Sequence, residues 1–356
     1  MPPQVTYWTG TYDPEKEAIS KELEALRQAR AIRTTVVAFS PAHGTRVDPK
    51  HGAILLSADR WMLLRGLAAL LERRGDVTHI FGGFSSWHLL RALGRRPIVL
   101  TAVAPRRSAP LALPRLPAFV AVEADDLANE WRQAGMPSDR IRVVYPGIDL
   151  SRFEPLAFPS NDRLQLLFAS SPAHVTEFEE RGIPLLVDVA RRRPDVDIVV
   201  PWRQWGDIAA ARRALDALAP PSNLHVHHEA DADMPGYFAR AHATLTLFSR
   251  DAGKSAPNSV LEGLACARPA IVTRGCGIAG AVERSGAGVA CGETLDDVSS
   301  AIDRVRQNLP AMRLAAHAAA REHFDLRQFL RAYDRLYEDA TMLSESVPLP
   351  SAATRH

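Results

Sequence analysis

The chain has 356 residues, 46% hydrophobic, 24% charged and 7% aromatic, with a formal charge of +2. High apolar content at low net charge excludes disorder as the main state, and no stretch approaches the ~18 uncharged apolar residues of a membrane span. At about 150 residues per domain, the length implies two domains.

The start, MPPQVTYWTG, lacks a basic segment followed by an apolar run, so no secretory signal is expected. Thr6–Trp8 reads as a short strand running into a loop at Gly10. A helix follows with Ile19, Leu23 and Leu26 on one face. TTVVAFS (Thr34–Ser40) is a β-branched strand, and residues 59–73 read as a helix with Leu63, Leu67, Leu70 and Leu71 inward. THIFGG, PIVLTAV and FVAVE are short apolar runs that suit buried parallel strands. ADDLANEWRQAGMP is a helix with acids in its first turn, Gly135 past its end and Pro137 beyond, and the strand IRVVY follows.

Residues 146–161, PGIDLSRFEPLAFPSN, carry three prolines and read as a linker. The alternation then restarts: LQLLFAS, VDIVV, NLHVHH, ATLTLFS and PAIVT as strands, separated by the helices GIPLLVDVARRR, DIAAARRALDAL, MPGYFARA and NSVLEGLACA. Alternating βα units imply mostly parallel sheets covered by helices, and two such blocks imply a cleft between them as the default ligand site. Cys266, Cys276 and Cys291 have no CxxC spacing, and an odd count in a chain of this length reads as reduced cytosolic thiols.

The stretch with most chemistry is Lys254–Pro269, KSAPNSVLEGLACARP. A strand ends at Phe248, a polar loop holding Gly253 follows, and Pro257 opens a helix. The free N–H groups of that helix start, around Asn258 and Ser259, suit a diphosphate. Glu262, one turn on, could take two hydrogen bonds from a ribose; an amphipathic helix with a surface glutamate fits the same residues.

RIRVVYPGIDLSRFEP, followed about a hundred residues later by PNSVLEGLACARPAIVT, resembles the retaining, nucleotide-sugar-dependent glycosyltransferases of the GT-B fold, family four in type. THIFGG, GIAGAVERSGAGVAC and the last helix, FDLRQFLRAYDRLYEDA, extend the resemblance over nearly the whole chain. It implies two Rossmann-like doubly wound parallel-sheet domains facing a central cleft. The first spans 1–150 on the acceptor side and the second 151–324 on the nucleotide-sugar side. A helix at about 325–342 would return to the first domain, and 343–356 is expected to be a disordered tail. The implied reaction moves a sugar from a nucleotide diphosphate sugar to a hydroxyl acceptor (a glycan, a lipid-linked or a small molecule) with retention. No resident cofactor or metal is implied, the nucleotide sugar being the co-substrate.

Carried over position by position, Glu262 matches the family glutamate that holds the ribose. The other glutamate, eight residues earlier at the donor sugar, is replaced by Lys254, the candidate catalytic-site residue. A cation there can bind the diphosphate or an acidic sugar, follow from a local slip of the match, mark lost activity, or be a solvated lysine with no role. Ser171 stands where the family has an arginine. Arg181, ahead of Gly182, matches its phosphate-binding lysine, and Arg203 could supply the missing charge or be a rim residue packed by Trp202 and Trp205. Gly10 fits a turn that lets backbone approach the donor. Val103 replaces a family histidine, and His79 reads as a strand residue.

Asp231 and Asp233 form a D-x-D, but Asp233 reads as the cap of the Met234–Pro235 helix start. His225, His227 and His228 lack acidic or cysteine partners at ligand spacing. Neither GxSxG nor GxGxxG occurs, which argues against a hydrolase and a dehydrogenase. Residues 1–155 hold 21 basic and 16 acidic residues, and the rest of the chain is net acidic. Residues 91–119, with six arginines and no acid, offer a possible peripheral contact with the inner face of the cell membrane for an otherwise cytoplasmic protein. Nucleic acid is not an expected partner, because aromatic interleaving is missing. The rival reading is a catalytically silent homologue that binds nucleotide-sugar or a partner; Lys254, Ser171 and Val103 favour it, and the intact Pro257–Glu262 helix start opposes it.

Overall fold

The computed structural model describes residues 2–15, 17–29, 34–40, 45–57, 65–82, 87–105, 116–159, 163–204, 206–229, 233–250 and 254–346. The chain forms two compact units, one from Met1–Val144 and Arg327 onward, the other from Tyr145–Leu326. The division falls a few residues before position 150, because Ile148 and Phe153 are buried in the core of the second unit.

In the first unit, β1 (Val5–Thr9), α1 (Ala18–Gln28), β2 (Thr35–Ser40), β3 (Arg46–Val47), β4 (Ile54–Ser57), α2 (Arg65–Glu72), β5 (Val77–Gly82), α3 (Trp87–Ala92), β6 (Ile98–Ala102), β7 (Phe119–Val122), α4 (Asp125–Gln133) and β8 (Ile141–Val143) follow one another. The sheet order is β3-β4-β2-β1-β5-β6-β7-β8, parallel except for the β3–β4 edge pair. The strands β1 and β5 to β7 are buried along their whole length, which explains their unbroken apolar runs. Alternation sends Trp8, Ile80, Leu100 and Val120 into one core with Leu89, Leu127 and Trp131. In α2 the outcome differs from the expectation: Leu71 is buried, but Leu70 is 61% exposed, because Ala68 takes the inward position. Leu63 lies outside the described residues.

The other face of this sheet receives the last helix of the chain, taken below. His79 on β5 is fully buried there, as a strand residue. Its Nδ1 lies 2.7 Å from the Tyr337 hydroxyl and its Nε2 2.7 Å from Thr101 Oγ1, which in turn lies 2.7 Å from the Tyr333 hydroxyl. Burial pushes the Tyr333 phenol well above its ordinary pKa, so it stays protonated and able to donate.

The second unit runs β9 (Leu164–Leu167), α5 (Ile183–Arg192), β10 (Val196–Arg203), α6 (Ile208–Ala217), β11 (Leu224–Glu229), α7 (Met234–Arg240), β12 (Ala243–Thr246), α8 (Asn258–Ala265), β13 (Ala270–Thr273), α9 (Ala279–Arg284), β14 (Gly288–Cys291) and α10 (Leu295–His323). The last helix, α11 (Leu326–Ser346), then belongs to the first unit from Arg327 onward. It runs through Ser346, so residues 343–346, expected in a disordered tail, are helical; 347–356 lie outside the described residues. The second sheet is parallel throughout, in the order β11-β10-β9-β12-β13-β14. Leu166, Ile198, Leu245, Ile271 and Val289 face one core; Leu167, Val199, Val272 and Ala290 face the other. Each helix therefore has an apolar layer to cover, as in a doubly wound sheet.

Candidate functional site

Numbered from β9 as one, the second sheet reads 3-2-1-4-5-6. Chain direction across the sheet reverses between β9 and β12, and the loops at their C-terminal ends leave this point on opposite faces. Such a switch point is where open α/β sheets bind ligands. The first sheet has the same arrangement, reversing between β1 and β5.

At the second unit's switch point the loop after β9 carries Arg181. Its Nε donates to Glu177 Oε2 at 2.8 Å, Nη1 donates to Ser170 Oγ at 3.3 Å, and the guanidinium carbon stands 5.7 Å from the centroid of Phe248, just past β12. The two loops are fastened together: Ser249 N–H donates to Glu180 O at 2.9 Å, and Gly182 presses on Leu247. Gly182 has φ +70°, and a Cβ there would lie 2.2 Å from the Leu247 carbonyl oxygen. Only glycine meets both conditions. Gly182 is also the N-terminal cap of α5, and no side chain caps that helix.

The loop after β12 leads to α8. Pro257 occupies the capping position, with Asn258 the first helical residue, rather than opening the helix itself; again no side chain caps the end. Lys254 Nζ donates to Asn258 Oδ1 at 2.7 Å, placing the ammonium over the first turn. The loop is anchored from beneath, since Ser255 O accepts from Ile278 N at 3.0 Å. Ser259 and Glu262 are half-buried along the first turns of α8. A cation at the positive end of a helix is electrostatically unfavourable by about 0.3–1 kcal/mol, so Lys254 is not there for the helix's sake. Lys254, Pro257, Asn258, Ser259 and Glu262 are thus brought together on one loop and helix start.

Ser171 is occupied structurally. Its Oγ donates to Pro201 O at 3.2 Å and accepts from Arg203 N at 3.0 Å, stitching the end of β9 to that of β10. Arg203 is the last, exposed residue of β10, one strand from β9 on the side away from β12. It shares the sheet end with Arg181 but stands apart from Lys254. Trp202 is a core residue, 2% exposed and tilted against Phe178 at 5.9 Å, not part of a rim. Trp205, Gly253 and Asp231 lie outside the described residues.

In the first unit, Gly10 directly follows β1 at that unit's switch point. The loop is tied to α1: Ser20 Oγ accepts from Asp13 N at 3.0 Å, and the Tyr12 hydroxyl donates to Glu24. The N-terminus of α1 is already capped by Glu17, whose carboxylate accepts from Ile19 N at 3.1 Å and Ser20 N at 2.6 Å. A bound anion would have to displace that carboxylate, whereas the starts of α5 and α8 carry none. Val103 is buried. Of residues 91–119, positions 106–115 lie outside the described residues.

The remaining constellations are structural. Asp233 takes the capping position of α7, though its side chain makes no capping bond. His227 Nδ1 lies 2.9 Å from the Tyr237 hydroxyl and His225 pairs with Asp197 at 3.4 Å. Among the described residues no group of three or more His, Cys, Asp or Glu could hold a metal ion. All three cysteines are free and buried. Burial pushes the Cys266 thiol up to about 12 and the Cys291 thiol up to about 11, so neither is a thiolate near neutral pH. No helix among the described residues is long and apolar enough to cross a membrane.

Comparison with solved structures fits this geometry. HepE from Anabaena, solved with UDP, superimposes with a TM-score of 0.74 at 15% identity, over 94% of this chain and 99% of that one. Sucrose-phosphate synthase from Thermosynechococcus elongatus gives 0.72 at 14%, over 96% and 100%. WaaG, a glycosyltransferase involved in lipopolysaccharide biosynthesis, gives 0.66 at 15%, over 94% and 99%. The chain therefore has the GT-B type of fold, with two parallel-sheet α/β units. No protein-family model and no curated protein sequence matches it.

Residues that sequence reasoning missed are Glu177, Ser170 and Phe248, which surround Arg181, and Thr273, whose hydroxyl donates to Phe248 O at 2.5 Å. None had a sequence signal beyond proximity. Glu177 lies one helical turn before Arg181, a spacing that favours pairing.

Proposed function

We propose that the protein is a glycosyltransferase that moves a hexosyl group from a nucleoside diphosphate sugar to a hydroxyl acceptor with retention of configuration. The observation that carries this reading is the second unit's switch point, where Arg181 and the uncapped starts of α5 and α8 converge on the C-terminal ends of β9 and β12. That combination suits a diphosphate: planar guanidinium donors and two positive helix ends. The solved structures it resembles support the choice of donor, since HepE was solved with UDP and with UDP-glucose.

In this reading Arg181, Lys254 and the N–H groups at Asn258 and Ser259 meet the diphosphate, Glu262 takes the ribose, and Arg203 adds positive potential at the C-terminal end of β10. As the glycosidic bond breaks, the anomeric carbon gains oxocarbenium character and negative charge grows on the leaving phosphate. The cations and helix ends stabilise that growing charge, the role a metal plays elsewhere, so activity is expected to survive EDTA. The acceptor hydroxyl passes its proton to the departing phosphate oxygen as its own oxygen bonds to the anomeric carbon, and the nucleoside diphosphate leaves.

The test is a thermal-shift panel with UDP-, GDP-, ADP- and dTDP-sugars, followed by mass spectrometry of donor turnover. One donor should stabilise the protein and be turned over, and Glu262→Ala should abolish the shift. An unchanged shift in that variant removes the ribose assignment. Binding without turnover on any acceptor extract, unrestored by Lys254→Glu, would establish the silent-homologue alternative instead.

A further inference from the structure

We propose that Glu177 is a positioning residue for the donor: its carboxylate takes the Nε edge of Arg181 and thereby aims the Nη end at the diphosphate. The inference rests on the donor-site reading above.

Three contacts fix the guanidinium, each on a different part of it. Glu177 Oε2 accepts from Nε at 2.8 Å, Ser170 Oγ accepts from Nη1 at 3.3 Å, and the ring of Phe248 lies against the face, 5.7 Å from centroid to guanidinium carbon. The other Nη1 and Nη2 hydrogens take no partner among the described residues. Those are the paired donors with which arginine grips a phosphate end-on. A carboxylate competing with the diphosphate would sit on that same forked end; Glu177 engages the opposite edge.

Glu177 is itself held by main chain. Its N–H donates to His174 O at 3.0 Å, and its carbonyl accepts from Arg181 N at 3.0 Å. The two side chains, each about a quarter exposed, therefore face one another along one continuous turn. A free arginine side chain samples many rotamers, and binding must freeze it. Holding it beforehand removes most of that cost, which is worth roughly tenfold in affinity for a side chain of this length.

The experiment is isothermal titration with UDP, ADP and GDP on the full chain and its variants, using whichever nucleotide binds the unaltered protein. Glu177→Ala is expected to bind it about tenfold more weakly. Glu177→Gln keeps the length and an acceptor oxygen for Nε, and should stay within about threefold. Glu177→Asp keeps the charge but loses the reach, and should resemble the alanine variant, so the pair decides the matter if Glu177→Ala fails to fold. The double variant Glu177→Ala/Arg181→Ala should bind no more weakly than Arg181→Ala alone, a coupling that a purely structural role would not produce. Equal or tighter binding by Glu177→Ala, additive losses, or affinity that follows charge rather than reach would each overturn the proposal. Failure of the unaltered protein to bind any of the three nucleotides would overturn the donor-site reading itself.

Discussion

Replacing Gly182 with alanine tests the local architecture on which the candidate site stands. Alanine pays about 1 kcal/mol to hold the left-handed backbone at φ +70°. Its Cβ would also lie 2.2 Å from Leu247 O and 2.6 Å from Leu247 Cβ. The closer of these is backbone, so no rotamer change relieves it, and the loops after β9 and β12 must part. Overpacking of this kind adds ~1–3 kcal/mol, for a total of roughly 2–4 kcal/mol. Parting the loops also lengthens the Ser249–Glu180 bond and draws Arg181 off Phe248, so nucleotide affinity should fall with stability. Gly135→Ala is the internal control. It has φ +91° with nothing within 4 Å, leaving only the backbone cost of about 1 kcal/mol. Urea titrations compared at unchanged slope give the stability difference, and titration calorimetry with UDP gives the affinity. Gly182→Ala matching Gly135→Ala in stability, with affinity intact, would refute the apposition of the two loops.

Glu72 is fully buried and its Oε1 accepts from Gly94 N at 2.6 Å, Arg95 N at 2.9 Å, Arg96 N at 3.4 Å and Thr78 Oγ1 at 3.0 Å. Glu72→Ala strands these donors, so a loss of about 3 kcal/mol or more is expected in urea unfolding, with UDP binding by the folded protein unchanged. Burial, helped by the charge of Arg212, holds the His228 imidazole below its usual pKa. As pH falls below about 6.5 the unfolded chain takes up a proton that the folded protein resists. Stability should therefore fall from there down to the folded pKa, and melting temperatures of His228→Gln between pH 7.5 and 5 should show a shallower decline than the parent; parallel curves would remove His228 as a contributor.

Much of the fold was legible because parallel strands buried on both faces read as unbroken apolar runs and helices as periodic ones. VTHIFG and IVLTA are wholly buried strands, and Gly135 with positive φ ends α4 where its position implied. What escaped lacked a local signal. The two-residue strand β3 is fully exposed and exists only by pairing with β4. Leu70 shares the leucine spacing of α2, yet the helix phase that buries Ala68 turns it outward. Arg268 sits in the conspicuous ACARP segment but is wholly buried, its guanidinium donating to Phe238 O at 2.8 Å, Leu156 O at 3.2 Å and Ala157 O at 2.6 Å. Carbonyl partners 30 to 112 residues away cannot be read from spacing. At the candidate site, Arg181 and the α8 start were visible one at a time, whereas their meeting depends on β9 and β12 being neighbours, a fact of strand order.

Strand order also changes the meaning of the charge count. The later part of the chain is net acidic, which by itself argues against an anionic ligand. Several of its acids, however, are paired with its own arginines. Asp195 takes both Arg193 and Arg306, which hold its carboxyl well below the usual range; Asp303 takes Arg193, Asp197 takes Arg163 and Glu283 takes Arg274. The Asp195, Asp197 and Asp303 pairs lie at the strand starts and helix surfaces, while Arg274, directly after β13, is met by Glu283 on α9, and each pair cancels locally. Exposed pairs of this kind are worth little to stability and are screened beyond about 8–10 Å, so their fields stay close to the pairs themselves. What a diphosphate would meet there is settled by groups within a few ångströms: Arg181 with one edge spent on Glu177, Lys254 leaning on Asn258, and two helix starts that no side chain has claimed. In the first unit the corresponding helix start has been claimed, by Glu17. The part of the chain that looks wrong for an anion by its sum is therefore the one whose geometry is right for it.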